Sequence, residues 1–210
     1  MISATLCATV YGSHDTSVKE GAPLTVAIIA GGGGRRLGFR HKGLISFGSI
    51  TLIEHLLALA PDGPRLVNTN CAEAYEFLDV PLVADLVPDR GAPGGVVTAL
   101  FLAQTEWVLV MACDMPNVTA AEITRLLAAR SDEHDVICFA RAPSFEPLLG
   151  VYRASLGRAW LPQLAHEPSL RALVDSVRVK ALPVFDDSVL DSLNTPEQLA
   201  RWRGRGNKST

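Results

Sequence analysis

Apolar positions along the chain follow two alternating periods, and the alternation starts at Leu24. The run "LTVAIIA" (24–30) is continuously apolar and ends in glycines, as a strand buried on both faces does. Further short β-rich runs stand at 65–69, 80–84, 107–112, 135–140, 148–152 and 177–183. Between them the pattern turns helical at 51–60, 72–78, 95–104 and 120–130. Thr119 with Glu122 three residues on predicts a capping box for the last of these. Near the end, "NTPEQLARW" sets Thr195 as N-cap and Pro196 at the first helical position. Strands alternating with helices predict an α/β fold of three layers, a Rossmann-like, doubly wound and mostly parallel sheet with helices on both faces. Residues 1–23 show no clear period and read as an N-terminal extension; 24–203 read as one domain and 204–210 as a solvated tail.

Composition narrows the classes. With 210 residues, 48% hydrophobic and 20% charged, the chain can bury a substantial core without staples. Its formal charge of -3 supplies no basic excess for a nucleic-acid backbone. Cys7, Cys71, Cys113 and Cys138 are scattered with no CxxC pair, which argues against a zinc ribbon or disulfide framework and suits a reducing cytoplasm. No apolar run reaches bilayer length, and the first residues lack a basic and then apolar secretory pattern.

The candidate chemistry begins at "AIIAGGGGRRLGFRHKGLI" (27–45), where glycines precede a cluster of cations. A Walker A loop fails, because Phe39 and Arg40 follow Gly38 where Lys and Ser/Thr must stand. The dinucleotide fingerprint also fails, its third glycine falling on Arg36 or Leu37, which disfavours a dinucleotide oxidoreductase. A third pattern fits: Gly31-Gly32-x-x-x-Arg36-x-Gly38, then Lys42. Glycines let the backbone approach phosphate oxygens, and successive amides form an anion-binding concavity. Arg36 suits a leaving pyrophosphate with its planar fork, while Lys42 is a compact charge for the reacting phosphorus.

Asp114 ends the apolar run "WVLVMACDMP", where an α/β sheet gathers its ligands. Read alone, it serves either as a holder of Mg²⁺ on a triphosphate or as a turn cap. The segment 83–100 carries Asp85, Asp89 and a second glycine turn, with Gly94 and Gly95, that opens a helix. Its aspartates suit the donor edge of a base or an ordinary solvated loop. Asn68, at the end of its own strand, points into the crevice or makes a turn.

Taken in order, "IAGGGGRRLGFRHKGLI", "LVNTN", "ADLVPDRGAPGG", "ACDMP", "EPLLGVYR" and "LNTPEQL" resemble the molybdenum cofactor guanylyltransferases, of the nucleotide-diphospho-sugar-transferase-like fold, over about Leu24 to Trp202. The resemblance implies transfer of GMP from GTP to molybdopterin, with release of pyrophosphate. It implies that Ile29, Ala30, Gly31 and Gly32 contact the nucleotide through backbone, that Lys42 reaches the phosphates, and that Asn68 and Asp85 lie against the guanosine. It further implies Mg²⁺ at Asp114, Arg36 on the pyrophosphate, and Gly94, Gly95 and Asn194 toward the acceptor. Molybdopterin-carrying proteins and recipient molybdoenzymes would be its partners.

Three positions depart from the family pattern: His41 before the lysine, "GAPGG" for the usual Gly-Pro-Leu run, and Ser192 in "SLNTP". Two other readings therefore stand beside guanylyl transfer. One is a related enzyme that uses CTP or a sugar phosphate; the other is a non-catalytic nucleotide-binding paralogue.

Overall fold

The computed structural model describes residues 24–31, 41–141 and 144–206. The chain starts with β1 (Leu24–Ile29), all six residues of which are buried. A small ladder of β2 (Ser46–Phe47) and β3 (Ile50–Thr51) leads into α1 (Leu52–Leu59). Then come β4 (Arg65–Asn68), β5 (Leu82–Val83), α2 (Gly91–Leu102), β6 (Trp107–Ala112) and α3 (Ala120–Ala128). The last part holds β7 (Val136–Arg141), β8 (Ser144–Arg153), α4 (Ser155–Trp160), α5 (Leu170–Asp175), β9 (Val179–Pro183) and α6 (Pro196–Gly206).

The main sheet has seven strands in the order β5-β4-β1-β6-β8-β7-β9. Every pairing is parallel except the two made by β8. Two residues separate β7 from β8, which allows a return only beside the preceding strand and antiparallel to it. Alternate residues of β1 face opposite layers. Val26 and Ile28 pack in a core with Leu52 and Leu56 of α1, Ile123 of α3 and Leu199 of α6. Ala27 and Ile29 pack in the other, with Val96 and Leu100 of α2, Trp160 of α4 and Leu173 of α5. The expected three-layer, mostly parallel architecture is therefore present. Among the described residues no helix is long and apolar enough to cross a membrane.

Several local readings need correction. The helix expected over 72–78 is a single 3₁₀ turn, Ala72–Ala74. Tyr75 alone of its large apolar residues is fully buried, while Phe77 is 54% exposed, so no helical stripe faces the core. The strand expected over 80–84 shrinks to two residues at the sheet edge. The helix expected from 95 starts four residues earlier, at Gly91, because Pro93 sits in a first turn where its missing N–H costs nothing. The short helices α4 and α5 escaped the periodicity reading because six residues span fewer than two turns. The last helix does start at Pro196, and it continues to Gly206 into the stretch expected as tail. Residues 1–23 and 207–210 lie outside the described residues.

The reciprocal capping box belongs to α1. Thr51 N–H donates to Glu54 Oε2 at 2.7 Å, and Glu54 N–H donates to Thr51 Oγ1 at 3.4 Å. At α3, Thr119 Oγ1 accepts from Ala121 N–H at 3.3 Å and donates to the Glu122 carboxylate, with no return bond to its own backbone. We predict that Thr51→Ala lowers unfolding free energy by about 1–2 kcal/mol and Thr119→Ala by less, as measured by urea titration. Equal losses at both sites would contradict the assignment.

Candidate active site

Three neighbouring strands deliver the site. The ladder continues one step past each strand end: Ala30 N–H donates to Asn68 O at 2.8 Å, and Cys113 N–H donates to Ile29 O at 3.1 Å. The carboxyl ends of β4, β1 and β6 thus lie side by side, with Ile29 level with Asn68 on one side and Ala112 on the other. The chain leaves β1 outward through β4 and β5, then returns to the opposite side as β6. That reversal is the topological switch point where open α/β sheets bind ligands.

On the β6 side, Lys42 and Asp114 meet. Lys42 Nζ lies 2.7 Å from Asp114 Oδ2 and donates to Asn194 Oδ1 at 2.5 Å. Both charged side chains are mostly covered, 13% and 15% exposed, so the pair is weakly screened. Each partner has its own support. Lys42 opens a 3₁₀ turn whose next residue, Gly43, is buried; a Cβ there would come within 3.1 Å of Tyr75 Oη and 3.3 Å of Ile53 Cβ. Leu193 N–H donates to Asp114 O at 2.9 Å, which ties the segment before α6 to the end of β6. Gln198 Oε1 then accepts from the N–H groups of Asn194 and Thr195, at 2.7 and 2.9 Å. Residues 72 to 152 positions apart in sequence are held together by this cap.

On the β4 side, Asn68 Nδ2 donates to Asp85 Oδ1 at 2.9 Å and to Val83 O at 3.3 Å. Its own Oδ1 is buried with no hydrogen-bond partner among the described residues. Gly95, at the start of α2, explains how the amide fits: a Cβ on Gly95 would lie 2.3 Å from that oxygen. Asn70, which the sequence reading passed over, bonds to Asp85 twice. A period-2 pattern through Asn68 and Asn70 was the signal available. Gly94 and Gly95 are both buried, and a Cβ on Gly94 would come 3.5 Å from Asp85 Oδ2. Both glycines thus pack against the Asn68–Asp85 corner. Asp89, in a left-handed conformation (φ 59°), is exposed. Gly32, Gly38 and Arg36 lie outside the described residues.

Glu146 is a second carboxyl that the sequence reading did not single out. Burial pushes its pKa up, and the nearby Asp114 charge adds to that, against Leu148 N–H and Arg141. Burial pushes the neighbouring Cys113 thiol up to about 12, with the Asp114 charge adding to it, which favours the neutral thiol.

A metal can be tested against this donor set. Among the described residues no three His, Cys, Asp or Glu side chains gather as a cage. One carboxylate beside a lysine fits an ion carried on substrate phosphates, the usual manner for Mg²⁺, and not an ion held by protein alone.

The geometry defines an α/β protein with a mostly covered lysine–aspartate pair at its switch point, a layout that suits a nucleotidyltransferase. A sequence model of the MobA-like NTP transferase domain matches residues 26–181, and the chain belongs to that family. A molybdenum cofactor guanylyltransferase of Pseudomonas entomophila is 35% identical, covering 83% of this chain and 95% of its own. One from Pseudomonas syringae pv. syringae is 34% identical, covering 83% and 90%. Among solved structures, molybdopterin-guanine dinucleotide biosynthesis protein A from Archaeoglobus fulgidus superposes with a TM-score of 0.73 at 22% identity, covering 88% and 99%. It shares the fold.

Gly95→Ala tests the β4 side. The added Cβ must displace the Asn68 amide, and we expect nucleotide affinity to fall at least tenfold while stability drops by about 1–3 kcal/mol. Titration with nucleotide and thermal unfolding measure the two effects; unchanged affinity would remove Asn68 from the site.

Proposed function

We propose that the chain transfers GMP from GTP to the terminal phosphate of molybdopterin, forming the guanine dinucleotide cofactor and releasing pyrophosphate. The observation that carries this reading is the meeting of Lys42, Asp114 and Asn194 beside the exit of β1, with Asn68 and Asp85 on its other side. The lysine–acid cluster and the Asn68–Asp85 corner thereby stand at the ends of β6 and β4, the two strands that flank β1, as a phosphate cleft and a base wall would. The guanylyltransferase relatives supply the donor and acceptor named here.

In the proposed reaction an oxygen of the acceptor phosphate attacks the α-phosphorus in line. The new O–Pα bond forms as the bond from Pα to the bridging oxygen breaks, and the electron pair leaves with pyrophosphate. No covalent enzyme intermediate is needed, so the protein contributes position and charge. Lys42 neutralises charge at the reacting phosphate, with Asp114 holding its ammonium in place. Asn194, tied to α6 through Gln198, orients the acceptor side. The backbone at Ile29, Ala30 and Gly31 borders the nucleotide, and Gly32 and Arg36 would complete the phosphate loop. Asp114 would hold a Mg²⁺ ion, which would supply positive charge to offset that of the substrate phosphates. Gly94 and Gly95 serve the nucleotide side in this reading, by admitting the Asn68 amide.

Pyrophosphate release from GTP, CTP, UTP and ATP, each with molybdopterin or a sugar phosphate, tests the assignment. We expect turnover with GTP and molybdopterin alone. Lys42→Ala and Asp114→Ala should each lower kcat by about 10²–10³ with the fold retained by circular dichroism. Preference for another donor or acceptor would replace the substrates, and binding without turnover would make the chain a nucleotide-binding protein.

A further inference from the structure

The corner beside β4 has a fixed polarity. Asn68 Nδ2 has two acceptors, Val83 O and Asp85 Oδ1, so its amide cannot be turned over without facing oxygen to oxygen. Among the described residues Oδ1 has no partner, and it is an acceptor on a residue with no exposed surface, close to Gly31 and Gly95. A buried acceptor without a donor costs on the order of 1–3 kcal/mol, and such an orphan at the carboxyl end of β4 points to a ligand donor.

Asp85 is held from both sides. Its Oδ1 accepts from Asn68, and its Oδ2 accepts from Asn70 Nδ2 at 2.8 Å. Asp85 N–H donates back to Asn70 Oδ1 at 2.9 Å. The Asn70 amide therefore also has one possible orientation, matching a donor and an acceptor of the same residue. Asn70 itself is solvent-exposed and outside both hydrophobic cores, so packing does not explain its position.

We propose that Asn70 is a positioning residue for nucleotide specificity: it locks the Asp85 carboxylate so that Asp85 and Asn68 present a wall of acceptors to donor groups of the nucleoside. This deepens the guanylyl reading and rests on it. Two donor sources fit such a wall, the N1–H and N2–H₂ edge of guanine and the ribose hydroxyls.

The test measures kcat and KM with GTP, ITP (which lacks the exocyclic amine) and 2′-deoxy-GTP, for the wild-type chain, Asn70→Ala and Asn70→Asp. For Asn70→Ala we expect KM for GTP to rise about tenfold with kcat and Tm little changed. The wild-type preference for GTP over one of the two analogues should shrink toward unity: over ITP if the base edge meets the wall, over the deoxynucleotide if the ribose does. Asn70→Asp keeps the acceptor for Asp85 N–H but sets a like charge against the carboxylate, so it should raise KM at least as far. Unchanged analogue ratios in Asn70→Ala, or a neutral Asn70→Asp, would overturn the proposal. If a different nucleoside triphosphate is the preferred donor, the guanylyl reading fails separately, and the same ratios on that nucleotide and its analogues decide the role of Asn70.

Discussion

Hydrogen bonding between β1 and β6 is the constraint from which the rest of the site follows. Six residue pairs run from Leu24 opposite Trp107 to Ile29 opposite Ala112, and the ladder continues to Cys113. Because the strands are parallel, both end on the same edge of the sheet, so Gly31 after β1 and the acid after β6 leave it at neighbouring points. All twelve residues of the two strands are buried. Sliding this register by one residue would turn each strand's side chains to the wrong layer, which makes the placement of Asp114 as firm as the core itself.

The functional groups are fastened to that frame by polar contacts of short reach. Lys42 donates to both Asp114 and Asn194, and Leu193, in the lead-in to α6, donates its N–H to Asp114 O. Taking a single member away leaves a half-buried charge or amide without its partner, so the cluster behaves as a unit. The same economy appears at β4, where Asn68 reaches its place only because Gly95 has no side chain. The lysine–aspartate pair lies on one side of β1 and the Asn–Asp corner on the other, the separation that the proposed binding of both ends of a nucleoside triphosphate requires.

Much of this was legible in the chain, for identifiable reasons. Long apolar runs such as 24–30 and 107–112 admit little besides a buried strand, and Thr195-Pro196 marks a helix start by local chemistry alone. Lys42, Asp114, Asn68 and Asp85 could be singled out because each sits at an element boundary. What failed was information that lives in tertiary packing. The stretch 72–78 looks helical by composition, yet only Tyr75 finds a buried site, under Gly43. The capping box was sought at Thr119, while Thr51 and Glu54 have the same spacing and the reciprocal geometry. Asn70 and Glu146 lie within "LVNTN" and "EPLLGVYR", but their neighbours become visible only once β5 and β8 are laid in the sheet.

The central claim is that one nucleoside triphosphate spans the end of β1, with phosphates toward Lys42 and Asp114 and base toward Asn68 and Asp85. A crystal of the chain grown with Mg²⁺ and an α,β-methylene analogue of GTP tests it directly. The account predicts an α-phosphate oxygen within hydrogen-bond distance of Lys42 Nζ, an ion at Asp114, and guanosine donors on Asp85 and Asn68 Oδ1. Density for the base on the far side of β6, or phosphates with no contact to Lys42, would contradict it.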